Sequence, residues 1–121
     1  MATTPEGKVK VKVREALKEA SAWSFAPIIM GPLGRHGIPD ILACVPVKIT
    51  KEMVGRTIGA FVAVETKAPG KLKHTTANQR MELRSIGDAY GVALVASDCG
   101  IVQSAIATLK ETGVAVQSIP E

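Results

Sequence analysis

Aromatic residues are scarce in this chain: two Phe, one Trp and one Tyr, 3% of its 121 residues. Stacking of splayed bases on aromatic faces is therefore not expected as a main mode of nucleic-acid recognition. Cysteine is nearly as rare. Cys44 and Cys99 each sit in or beside an apolar run, where they read as small buried residues and not as a disulfide framework. There are only two histidines, and no paired His/Cys spacing of the kind that holds zinc. No apolar stretch approaches the ~20 residues of a membrane span. The opening residues 1–6 lack a basic segment followed by an apolar one, so neither export nor insertion is expected and a reducing cytoplasm fits. Repeats, linkers and low-complexity tracts are absent too, which leaves a single domain over residues 1–121.

What is present is aliphatic and basic. A 46% hydrophobic content with so few rings points to an α/β core of Val, Ile, Leu and Ala. Fifteen Lys and Arg against eleven Asp and Glu give a net charge of +4. If several acids belong to a site, the remaining surface is more basic than that total, which suits a polyanionic partner.

Periodicity predicts the elements. Thr4 caps a helix that starts at Pro5 and runs to about Ala22, with Val9, Val13, Ala16, Leu17 and Ala20 as a core-facing stripe. Strands are expected over 24–30 and 38–47, separated by Gly31-Pro32 and the loop 34–37. Residues 48–58 read as a polar connection or hairpin tip. A third strand is expected over 59–68, buried on both faces until it meets Glu65 and Lys67, and Pro69-Gly70 ends it. Thr76 opens a helix to about Tyr90 in which Leu83, Ile86 and Tyr90 share a face. A strand at 92–97, a helix at 99–112 with Val102, Ile106 and Leu109 on one side, the closing Gly113 and a short strand at 114–118 complete the order α-β-β-β-α-β-α-β. The fold class is α/β, with a mixed central sheet flanked by helices.

Chemistry concentrates in two places. Pro39-Asp40 heads an apolar run, and Glu65-Thr66-Lys67 follows twenty-five residues later at the end of another. Strand alternation puts Glu65 and Lys67 on one face and Thr66 on the other. Two acidic oxygen donors and an ammonium are the set that metal-assisted phosphodiester cleavage requires. Each residue also has a plain structural explanation. Pro-Asp is a common turn dipeptide, and Glu65 with Lys67 can be a strand-end ion pair, although an unpaired buried charge would cost several kcal/mol.

Drawn at about 100° per residue, Glu6 falls between Val13 and Leu17 on the first helix's stripe, while the helix dipole alone would also favour an acid there. Gln79 lies one turn before Leu83 and should face the sheet, but Thr76-x-x-Gln79 is also a capping box. Arg35, His36, Lys71, Lys73 and His74 lie in loops flanking the acids and are candidates for holding a phosphate backbone.

The blocks Gly34-Arg35-His36-Gly37-Ile38-Pro39-Asp40, Val64-Glu65-Thr66-Lys67-Ala68-Pro69-Gly70 and Thr76-Ala77-Asn78-Gln79, in this order and spacing, resemble the VRR-NUC family, a branch of the PD-(D/E)xK nucleases. The resemblance spans Glu6 to about Ser97 and implies a restriction-endonuclease-like core. It implies that Asp40, Glu65 and the Thr66 carbonyl bind Mg²⁺ or Mn²⁺, with Glu6 as a further acid from the first helix. Lys67 would activate water and stabilise the transition state, supported by Gln79. Free-standing members resemble phage or bacterial proteins, cytoplasmic in the host cell, that act on branched DNA, some as Holliday-junction resolvases. Symmetric cutting of two strands implies a homodimer. A nicking or flap-type nuclease, a catalytically inactive DNA-binding module of a phage replication or packaging complex, and a purely structural interaction protein are the competing expectations.

Overall fold

A computed structural model of the chain describes residues 4–27, 37 and 39–121. The end of the expected first strand, the Gly31-Pro32 break, Arg35, His36 and Ile38 lie outside the described residues. Among the described residues the element order matches the expected one, and three helices combine with two small sheets in a mixed α/β architecture. The chain divides into two compact units, 1–47 and 48–121.

In the first unit, α1 (Pro5–Glu19) starts where Thr4 Oγ1 accepts the Gly7 N–H at 2.9 Å, the cap that the sequence predicts. Its apolar stripe is not a core face. Val9 and Val13 are exposed and no α1 residue is buried, Leu17 being the one large apolar side chain partly covered. The reason is geometric: a fifteen-residue helix is about 22 Å long, whereas β1 (Trp23–Phe25), against which it packs, spans roughly 10 Å. β1 pairs antiparallel with β2 (Leu42–Cys44), Trp23 opposite Cys44. β2 is shorter than the expected 38–47 because Pro39 and Pro46 bracket it and neither offers an N–H to a ladder.

The second unit is a three-stranded parallel sheet ordered β3 (Val62–Thr66), β4 (Val92–Ala96), β5 (Gln117–Ser118). Among the described residues the strands thus fall into a two-stranded and a three-stranded sheet, where a mixed central sheet was expected. β4 takes the middle because all five of its residues are apolar on both faces and all are buried. β3 lies at the edge. Its side chains alternate between partly buried and exposed, which corrects the expectation of burial on both faces.

α2 (Ala77–Asp88) buries Leu83, Ile86 and Gly87. α3 (Gly100–Thr112) contributes Ala105, packed with Val92 and Leu94 and flanked by Val102 and Leu109. Ala105 replaces the expected Ile106, which is exposed. Gly113 closes α3 at φ 72°, a left-handed conformation suited to glycine. At the end of α2 the helix stops before Tyr90, which sits at φ 69° and is exposed, so it leaves the face of Leu83 and Ile86. Cys44 is buried, but Cys99, at the start of α3, is exposed because the apolar run ends at Ala96. Among the described residues no helix is long and apolar enough to cross a membrane.

Candidate functional site

The backbone ladder between β3 and β4 fixes which groups face where. Phe61 O accepts from Val92 N–H and Lys67 N–H donates to Ala96 O, each at 2.9 Å. The odd-numbered residues of β3 therefore bond to β4, and the Thr66 carbonyl points to the other edge of the strand. Side chains alternate as well: Ala63, Glu65 and Lys67 share the face over which α2 lies, and Thr66 is turned away and exposed.

Lys67 is the centre of the arrangement. Its Nζ donates to Gln79 Oε1 at 3.0 Å and lies 3.8 Å from a carboxylate oxygen of Glu65. The lysine side chain is 16% exposed and that of Glu65 36%. An ammonium this well covered needs partners, and an amide oxygen with a carboxylate supplies them.

Gln79 also completes the capping box at the start of α2. Its Oε1 accepts the Thr76 N–H at 3.0 Å while Thr76 Oγ1 accepts the Gln79 N–H at 3.1 Å. The cap and the lysine contact, which compete as explanations of Gln79 in the sequence, coexist because a carbonyl oxygen has two lone pairs. An open cleft of ≈ 360 Å³ runs alongside, bordered by Glu65, Asn78, Gln79 and Glu82 with Ala63 and Leu83. Asn78 and Glu82 were not singled out by the sequence. Their signal was positional: Asn78 precedes Gln79, and Glu82 follows it by three residues, on the same side of the helix.

The basic residues after β3 are held on a built loop. Gly70 at φ 79° turns the chain, and Leu72–His74 forms one 3₁₀ turn. The buried Thr75 hydroxyl donates to Leu72 O at 2.6 Å, and Arg80 Nη1 donates to Thr75 O at 2.7 Å, tying the loop to α2. Lys71, Lys73 and His74 project from it, exposed.

In the first unit, Lys10 joins the two other acids. Its Nζ is 3.6 Å from Glu6 and 3.9 Å from Asp40. Glu6 thus shares a cation with Asp40, but it is exposed and not on a core face, because the α1 stripe itself is uncovered. Lys10 is the residue that sequence reasoning passed over; its four-residue spacing from Glu6 was the available signal.

The donors fit a hard divalent cation. Carboxylate and carbonyl oxygens suit Mg²⁺, which keeps most of its waters and takes one or two carboxylates from a protein. Among the described residues no group of three or more His, Cys, Asp or Glu side chains is assembled into a fuller cage. No family model, curated protein or solved structure matches the chain.

Proposed function

We propose that this chain is a metal-dependent DNA endonuclease of the VRR-NUC type, with a restriction-endonuclease-like core, acting on branched DNA as a homodimer. The observation that carries the reading is the Lys67 ammonium, 3.0 Å from Gln79 Oε1 and 3.8 Å from Glu65, beside an open cleft. A strand-end ion pair would account for Glu65 and Lys67. It would not call for a third group, drawn from a helix cap, to orient the lysine.

Glu65 and the Thr66 carbonyl are the donors that would hold the ion, with Asp40 as the second carboxylate that the resemblance requires. When bound, Mg²⁺ or Mn²⁺ supplies charge opposite the phosphate and a water of lowered pKa. Lys67 places a fixed positive charge where negative charge develops on phosphorus-bound oxygens, without reorganisation at the moment of reaction. Gln79 is a positioning residue: it fixes the lysine and is itself fixed by Thr76. Lys71 and Lys73 hold the backbone of the substrate by charge, and His74 offers it a ring N–H.

A second reading is a DNA-binding module without catalysis. It is favoured by Lys10, whose single ammonium lies at ion-pair distance from both Glu6 and Asp40 and competes with a metal for them. Labelled four-way junction, flap, nicked and linear duplex DNA incubated with Mg²⁺, Mn²⁺ or EDTA separates the two. Paired metal-dependent cuts in the junction, abolished in Lys67→Ala, are the expected result. Binding without cutting in either metal selects the second reading.

A further inference from the structure

Residues 48–60 form an arm. Every residue in it except Met53 is exposed, and among the described residues its backbone bonds close only its own turn: Met53 N–H to Thr50 O, Val54 N–H to Lys51 O and Arg56 N–H to Met53 O, each at 3.1 Å. Gly55 at φ 84° completes that turn. The segment, whose residues 48–58 were expected to be a polar connection or hairpin tip, presents Val54 80% exposed beside Gly55, with Ile49 and Ile58 68% and 70% exposed. Aliphatic groups held this far into water are disfavoured unless something covers them.

Charge identifies what covers them. The arm carries Lys48, Lys51 and Arg56 against the single acid Glu52. Glu52 is itself exposed; its own backbone N–H and then the Thr50 hydroxyl hydrogen-bond to its carboxyl and hold it below the ordinary carboxylate range, so it stays ionised and offsets one of the three cations, which leaves the arm net positive. None of the three cations has a carboxylate partner among the described residues, in contrast to Lys10, Lys67 and Arg84. Two such arms from two copies would repel one another. A polyanion with apolar faces is complementary to both features.

We propose that this arm is a second DNA contact, with Lys48, Lys51 and Arg56 on phosphates and Val54 against base faces left unstacked where a branch interrupts the duplex. The inference rests on the DNA-directed reading above and extends it to a surface away from the cleft. The arm runs into β3, which starts at Val62, and none of its residues borders the cleft, so arm and cleft address different parts of one substrate.

The test is binding in EDTA, where no cleavage occurs. Fluorescence anisotropy on a labelled four-way junction and on a linear duplex, across a KCl series, compares the unaltered chain with Lys48→Ala/Lys51→Ala/Arg56→Ala and with Val54→Ser. Circular dichroism melting establishes that each is folded. The triple variant is expected to lower the slope of log K against log salt by roughly 2–3 on both DNAs, at about 0.9 per phosphate contact. Val54→Ser is expected to keep the slope and to lose most of the preference for the junction. A triple variant with unaltered slope and affinity overturns the proposal. So does a Val54→Ser variant that shifts from dimer to monomer on gel filtration with its junction preference intact, because the arm then joins two copies. Failure of the endonuclease reading is separate: a chain that binds DNA but cuts in neither Mg²⁺ nor Mn²⁺, with the slope still lowered in the triple variant, removes the catalysis and upholds the arm.

Discussion

Gln79 Oε1 lies 3.0 Å from both Lys67 Nζ and the Thr76 backbone N–H, so one amide oxygen holds the lysine and the first turn of α2 together. Gln79→Ala removes both bonds. It should cost about 1–2 kcal/mol, the range of a lost helix cap together with a less satisfied ammonium. Thr76→Ala removes only the hydroxyl half of the box. Thermal melts should show both variants destabilised, but DNA cleavage should fall much further in Gln79→Ala. Equal losses of cleavage at matched stability would assign Gln79 a capping role alone.

Lys10→Ala tests the pairing in the first unit. The three groups are largely exposed, so stability should change by less than about 1 kcal/mol. If Asp40 is a metal ligand, removing a competing ammonium should lower the Mg²⁺ concentration required for half-maximal cleavage by several-fold. An unchanged metal dependence would separate Lys10 from the chemistry.

Gly87 admits the Gln117 side chain. A Cβ built there falls 2.5 Å from Gln117 Cδ, and Gln117 Nε2 donates to Gly87 O at 3.2 Å. Alanine in a helix interior gains roughly 1 kcal/mol over glycine, while displacing the glutamine loses a hydrogen bond of about the same net worth. Gly87→Ala alone should be near neutral. In a Gln117→Ala background the same change should stabilise by about 1 kcal/mol, a coupling that a double-mutant cycle by urea unfolding reads directly.

Tyr90→Gly should raise stability. The tyrosine holds a left-handed φ of 69° while 77% exposed, so it bears the steric cost of that conformation with little burial in return. A gain of about 0.5–1 kcal/mol, or several degrees in Tm, is expected by differential scanning calorimetry.

The two thiols should react at different rates. Cys99 is exposed, whereas burial of Cys44 raises its pKa and keeps it protonated. A thiol reagent at pH 8 should modify one cysteine rapidly and the other only as the chain opens. The linkage has a definite sign. Since the folded pKa exceeds the unfolded one, stability is fully present below the ordinary thiol pKa and declines as pH rises through it.

Much of the chain was legible in advance, and for local reasons. Thr4, Thr76 and Gly113 mark helix ends through chemistry that acts within four residues, and each does so in the structure. Alternation put Glu65 and Lys67 on one face, and they lie 3.8 Å apart. Periodicity states which side chains share a face, but not whether another element covers it. The α1 stripe, Tyr90 and Cys99 were expected inside and are outside for that reason. Likewise, nothing in the run 59–64 distinguishes the edge strand that it enters from a central one. The shared role of Gln79 was hidden because its second partner, Lys67, lies twelve residues back.

Arg80 bears on how the basic character of this chain should be counted. Its guanidinium is committed to the Thr75 carbonyl and thereby to the loop that carries Lys71, Lys73 and His74. Removing a cation from this region therefore has two physical meanings. Loss of Lys73 subtracts one charge from an intact surface. Loss of Arg80 leaves the neighbouring charges in number but dissolves the frame that aims them.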